Sequence, residues 1–184
     1  MSLAKKIALS IAIIAVVILA IPLVAALFVP SEFRVERTVE VSKEANKVFE
    51  YIRFLKNQNE YSKWAKLDPA MKKNYEGEDG KVGFISRWES QMDDVGVGEQ
   101  EIKHIDFETF TLDTELRFKK PMESTEKSYM KVVSLTDKKS KVIWGFEGNM
   151  SYPFNLIGLF ISMDEMIGSD FEEGLTSLKS ILEK

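Results

Sequence analysis

From Ile7 to Val29 the chain runs for 23 positions without a charged side chain, and charged residues return throughout the sequence that follows. At roughly 1.5 Å per residue, such a run makes a helix about 34 Å long, enough to cross a hydrocarbon core of about 30 Å with some tilt. Ile, Val, Leu and Ala dominate it and leave no polar stripe, as a helix surrounded by lipid requires. Ser10 can bond back to its own helix, Pro22 is tolerated in membrane helices, and Lys5 and Lys6 precede the run at a headgroup position. A cleaved signal peptide is the competing reading, because Val24-Ala25-Ala26 has the small side chains of a cleavage site. Its apolar core would span only about 7–15 residues, so the length favours an uncleaved anchor over residues 1–30. Basic residues flank both ends: Lys5 and Lys6 before, Arg34, Arg37, Lys43 and Lys47 after. Long domains translocate largely regardless of charge. The expected placement is a single pass of the cell membrane with residues 31–184 on the outer, non-cytoplasmic side.

Those remaining positions have the size of one ordinary domain with a full core. They hold 23 basic and 29 acidic residues, a net charge of −6. That balance argues against nucleic acid, which needs a basic footprint, and against a domain that hugs anionic lipid. The absence of cysteine is neutral on redox compartment. Pro30-Ser31-Glu32 is a very short linker, so the domain is expected near the bilayer surface.

Residues 33–41 alternate Phe33, Val35, Arg37, Val39 and Val41 against Arg34, Glu36, Thr38 and Glu40, the period of a strand. Ser42 is expected to cap a helix whose apolar face is Ala45, Val48, Phe49, Ile52 and Leu55. A second short helix is expected over 57–64. Strands follow over 71–77, 82–91, 99–105, 110–118, 125–135 and 141–148. The turns between them are short enough for an antiparallel meander. Residues 155–183 read as one long helix rich in core-type side chains, interrupted by Gly158, Gly168 and Gly174. The order describes an α+β domain in which a curved antiparallel sheet closes on a C-terminal helix.

Strand alternation then separates two faces. One carries Arg87, Glu89, Lys103, Asp113, Glu115, Arg117, Lys131 and Glu147. The other carries Phe84, Ser86 and Trp88, then Gln100, Ile102 and His104. It continues with Phe110, Leu112, Thr114, Leu116 and Phe118, Met130 and Val132, and Val142, Trp144 and Phe146. Ser86, Gln100, His104 and Thr114 interrupt an otherwise apolar surface. Such groups must bond one another, bond water or orient a ligand. A filled core and a ligand cavity both fit these residues.

Several stretches resemble the START and polyketide-cyclase-like superfamily, SRPBCC, with its helix-grip fold. They are 36–41 running into 47–52, Tyr61-Ser62-Lys63-Trp64, Gly96-Val97-Gly98, 144–148, and 163–175. The resemblance spans residues 33–184. It implies a deep apolar cavity between sheet and long helix and no particular activity, because functions vary widely on one fold.

Chemistry is mostly excluded. With no cysteine and one histidine, zinc-finger, iron–sulfur and Cys/His nucleophile readings fail, as does the two-His Rieske ligand set of the superfamily's oxygenase branch. There is no glycine-rich phosphate loop, no carboxylate spacing that matches a metal loop, and no cofactor implied. Three readings remain. The leading one is binding of a hydrophobic small molecule or lipid, with Phe84, Ser86, Trp88, Gln100, Ile102, His104, Phe118, Met130, Trp144, Phe146, Phe160 and Met163 around it. The second is a polyketide cyclase or dehydrase with His104 as base. The third is a non-catalytic interaction module with a filled core. The membrane partner is reached through residues 7–29, and the sequence sets no oligomeric state.

Overall fold

The computed structural model describes residues 3–184, so the first two positions of the expected anchor lie outside the described residues. The chain divides into two compact units. One holds the N-terminal segment to Phe33 with 149–162, the other residues 34–148 with 163–184.

In the first unit, α1 (Leu3–Ala26) continues through Pro22 and is long and apolar enough to cross a membrane. Its described side chains from Leu3 to Leu23 are exposed, and a helix apolar all round has no single face to lay on a domain. A six-residue 3-10 turn, Phe154–Leu159, packs on α1. Buried Asn155 locks this contact: its Nδ2 donates to the carbonyls of Ala26 at 2.7 Å and Val29 at 2.8 Å. The last carbonyls of a helix lack partners within it, and a side-chain amide is one way to satisfy them.

In the second unit, the chain passes from β1 (Glu32–Val41) into α2 (Ala45–Ile52), a 3-10 turn (Leu55–Asn57), α3 (Gln58–Tyr61) and α4 (Lys63–Leu67). Six strands follow: β2 (Lys72–Glu76), β3 (Ile85–Glu89), β4 (Val97–Asp106), β5 (Thr111–Lys120), β6 (Ser124–Thr136) and β7 (Lys139–Asn149). The sheet order is β1-β7-β6-β5-β4-β3-β2, a meander closed by β1 beside β7. With the C-terminal helix α5 (Met163–Leu182) this curved antiparallel sheet is the helix-grip fold.

Two local expectations change. Ser42 is not the helix cap; Glu44 holds that position without a side-chain bond, and the Ser42 amide donates instead to Glu183 Oε1 at 2.6 Å. The final helix starts at Met163 rather than 155. Residues 154–161 are apolar on every side apart from Asn155 and Gly158, so no amphipathic period holds them to a face. The period begins afterwards, and Phe171, Leu175, Leu178 and Leu182 are the buried stripe of α5. The two glycines inside α5 permit close approach. A Cβ on Gly174 would lie 2.9 Å from the Trp144 ring, and one on Gly168 would lie 2.2 Å from the Arg37 guanidinium. Arg37 then pairs with Asp164 at 2.9 Å and Glu172 at 2.6 Å, fixing the helix against β1.

The outer face is a lattice of ion pairs. Arg87 meets Glu99 and Glu76, and Arg117 meets Glu99, Glu101 and Glu115. Burial pushes the Glu99 carboxyl up, but hydrogen bonds from Arg117 and Arg87 outweigh it and hold the group below its ordinary 4.5. Glu99 therefore ionises more readily in the folded chain. Its contribution is complete above 4.5 and is lost as pH falls through the depressed folded value. Glu99→Gln is expected to flatten the loss of the urea midpoint between about pH 5 and 3. An unchanged slope would assign that loss to other carboxylates.

Candidate functional site

The two ends of the inner face differ. Near α2, Phe49 packs against Phe107 and Phe110 at centroid distances of 5.8 and 5.5 Å, and Leu112, Val132 and Val142 are buried with them. The other end is not filled. A cavity of about 280 Å³ lies between β3–β7, the α3–α4 segment and α5.

Aromatic rings shape its closed end. Trp144 stacks on Phe171 at 4.5 Å and 10°. Trp64 sets its edge to both, at 6.4 and 6.0 Å, and Tyr61 meets Trp144 edge-on at 5.8 Å. Offset and edge-to-face pairs of this kind add about 0.5–1.5 kcal/mol each beyond burial. On the far wall Trp88 meets Phe118 edge-on at 5.9 Å, and its indole N–H donates to the Val95 carbonyl at 3.1 Å. The Trp88 ring can therefore face a ligand without an unmet polar group. Exposed Asp93, Asp94, Lys120 and Pro121 mark the mouth.

A polar relay crosses the cavity floor. Gln100 Nε2 donates to Thr114 Oγ1 at 3.0 Å, Thr114 Oγ1 donates to the Ser128 carbonyl at 3.2 Å, and Ser128 Oγ donates to the Gly145 carbonyl at 2.9 Å. Because the Thr114 hydroxyl spends its proton on Ser128, it must accept from Gln100. That fixes the Gln100 amide orientation. Gln100 Oε1 is left over. Ser86, its cross-strand partner on β3, lines the same cavity. Neither Gln100 Oε1 nor Ser86 Oγ has a hydrogen-bond partner among the described residues.

Of the residues expected from sequence, Ser86, Trp88, Gln100, Phe118, Trp144 and Phe146 line this cavity. Phe84, Ile102 and Met130 share the face but sit in packed core. Phe84 stacks on Tyr75 at 6.0 Å, Ile102 is fully buried, and the Tyr61 hydroxyl donates to Met130 Sδ at 3.3 Å. His104 lies on the outer face instead. The β4–β5 register slips between Ile102 and His104, so Lys103 is an extra residue that reverses the alternation. The imidazole is 63% exposed, with Nδ1 3.2 Å from Asp113 Oδ2. Phe160 belongs to the first unit and is exposed, and half-buried Met163 opens α5. Trp64, Leu116, Ser128 and Phe171 also line the cavity. Alternation could have found Ser128, two positions before Met130, and Phe171 lies on the apolar stripe of α5. Trp64 carries no such signal, because the helix that holds it is only five residues long. Among the described residues, no group of three or more His, Cys, Asp or Glu could hold a metal ion.

No family model matches the chain, and no curated protein matches it. Solved structures do. Ara h 8.0201 aligns with a TM-score of 0.55 at 13% identity over 82% of this chain and 97% of its own. A norcoclaurine synthase point mutant from Thalictrum flavum, in complex with a transition-state analogue, gives 0.58 at 12% identity over 82% and 96%. A solution structure of a protein from Thermobifida fusca gives 0.57 at 17% identity over 81% and 92%. Ara h 8 and norcoclaurine synthase are Bet v 1-like proteins of the SRPBCC superfamily. At these identities the likeness is one of fold.

Proposed function

We propose that this chain binds a hydrophobic small molecule or lipid in the cavity between sheet and α5, and that α1 anchors it in the cell membrane. On this reading residues 1–30 are the anchor, crossing through 7–29, and residues 31–184 are the binding domain on the outer side. The observation that carries the reading is the aromatic-walled space of about 280 Å³ with two polar atoms left over on its floor. A water needs only about 10–15 Å³ measured this way, so the space far exceeds a packing defect. It lies just below the usual ligand-site range of about 300–1,000 Å³, which favours a ring system or part of a chain. Each CH₂ taken out of water contributes about 0.8 kcal/mol, so burial supplies most of the affinity.

The polar atoms narrow the class. Gln100 Oε1 can only accept, and the Ser86 hydroxyl accepts or donates. Together they suit an apolar ligand bearing a hydroxyl, such as a phenol or a long-chain alcohol. The Bet v 1-like fold is known for hydrophobic ligands, which supports the reading by analogy. The negative balance of the domain disfavours nucleic acid. The cyclase alternative needed His104 as base, and that ring is on the outer face beside Asp113. The filled-core alternative needed no room between sheet and helix.

The test uses the full chain in nanodiscs, exposed to diazirine-bearing phenols, long-chain alcohols, fatty acids and isoprenoids and then to light. Adducts are expected on peptides carrying Trp88, Phe118 or Trp144. Their absence with every class would sink the proposal. Gln100→Leu is expected to weaken labelling by hydroxylated probes about tenfold, the size of one lost hydrogen bond, and to leave hydrocarbon probes unchanged.

A further inference from the structure

The first unit presents an apolar surface that binding in the cavity does not use. Residues 149–162 contain no charged side chain. Within them Tyr152, Phe154, Leu159, Phe160 and Ile161 are exposed, Phe160 to 87%. Just past α1, Leu27 and Phe28 are exposed as well, Phe28 to 83%. Single exposed apolar residues are ordinary on soluble proteins, whereas a concentration of this kind marks an interaction surface.

The occupant follows from what the segment is bonded to. Asn155 holds the carbonyls of Ala26 and Val29, so the 3-10 turn is fixed at the C-terminal end of α1. At about 1.5 Å per residue the 24-residue helix is about 36 Å long, slightly more than the hydrocarbon thickness of about 30 Å. When α1 spans, Ala26 reaches the boundary between acyl chains and headgroups, and the turn bonded to it reaches the same depth. Tyr152 is of the type enriched at that boundary, and Phe and Leu side chains face the acyl chains in segments that lie in the interface plane. The absence of charge lowers the cost of leaving water. We infer that residues 152–161 insert in the plane of the bilayer interface and form a second membrane contact beside α1. The inference rests on the reading of α1 as a membrane span. With a covalent span and an interfacial segment joined through Asn155, the first unit has two attachments to lipid rather than one, which restrains rocking about the anchor.

The chain has no cysteine, so a single introduced cysteine is the only site of labelling. Phe160→Cys and Ile14→Cys would each carry an environment-sensitive NBD dye in the full chain, reconstituted in mixed phosphatidylcholine and phosphatidylglycerol vesicles. Doxyl quenchers would be carried either near the headgroup or near the chain terminus. The label at 160 is expected to shift to the blue and to lose most of its emission to the shallow quencher, with a smaller loss to the deep one. The label at 14, mid-helix, is expected to show the reverse order. Quenching at 14 without quenching at 160 overturns the inference and leaves the span intact. Quenching at 160 alone removes the span, and with it the premise of a second contact beside α1, so it also overturns the inference. A blue shift at 160 that neither quencher reduces would mean a protein covers this surface, which also overturns the inference. Quenching at neither site removes both.

Discussion

Replacement of Trp144 by alanine is expected to lower the unfolding free energy of the folded domain by about 3–5 kcal/mol, the range for buried large aromatics. Trp144 is 3% exposed and is the ring on which the end of the sheet closes. It stacks on Phe171 of α5 at 4.5 Å and takes edges from Tyr61 and Trp64, so one side chain joins β7, α3, α4 and the final helix. Truncation would merge its volume with the existing cavity, and a large hole collapses poorly. Against a typical total of about 5–15 kcal/mol, such a loss is severe. The measurement is the urea midpoint in the presence of a fixed detergent concentration, with Trp144→Phe as the conservative partner. A loss below about 1 kcal/mol for the alanine variant would show that the aromatic cluster does not couple sheet and helix. The glycine at 174 should behave as a dependent of the same ring. A Cβ there would meet it at 2.9 Å, so a side chain at 174 would cost little once Trp144 is gone.

The fold was legible because the central strands β3 to β7 carry their charges on one face and mostly apolar side chains on the other. The outward side chains form the Glu99–Arg117 lattice, and the inward ones pack or line space. Period two records that contrast directly. It records nothing about position along the strand. Phe84 and Trp88 share a face four residues apart on one stretch of chain, yet one is packed core and the other faces the cavity. Phe84 is covered by Tyr75, stacked on it at 6.0 Å from the neighbouring strand, whereas Trp88 meets Phe118 on the cavity wall, and neither partner is marked by the local pattern. His104 shows a second limit. One extra residue at Lys103 reverses the face, and no turn residue or glycine marks the slip in the sequence. The region 154–162 shows a third. Apolar content there suggested helix, but helix formation against a domain needs a one-sided pattern, and this stretch has none. The uncharged run at the N-terminus is read from length and composition rather than from partners, and the chain forms a single apolar helix there, Leu3–Ala26.

Ser86→Phe should abolish ligand uptake while leaving the domain folded. The Ser86 hydroxyl makes no hydrogen bond among the described residues, so the substitution removes no internal interaction. Its Cβ sits on β3 opposite Gln100, facing the space that a ligand would occupy. A phenyl ring there finds Trp88 and Phe118 nearby, the kind of surroundings in which an aromatic side chain packs well. Filling a void adds buried apolar area, so the urea midpoint is expected to hold or rise. A binding site of only about 280 Å³ cannot admit both ring and ligand, and affinity is expected to fall at least about tenfold for every probe class. Ser86→Ala separates shape from chemistry. It keeps the space and removes the hydroxyl, so hydroxylated probes alone should weaken. Full photolabelling of a folded Ser86→Phe chain would place the ligand elsewhere and remove this cavity from the mechanism. Loss of labelling together with a collapsed urea midpoint would trace to unfolding, and Leu116→Trp, which fills the same space from β5, then decides whether occupancy or stability was at fault.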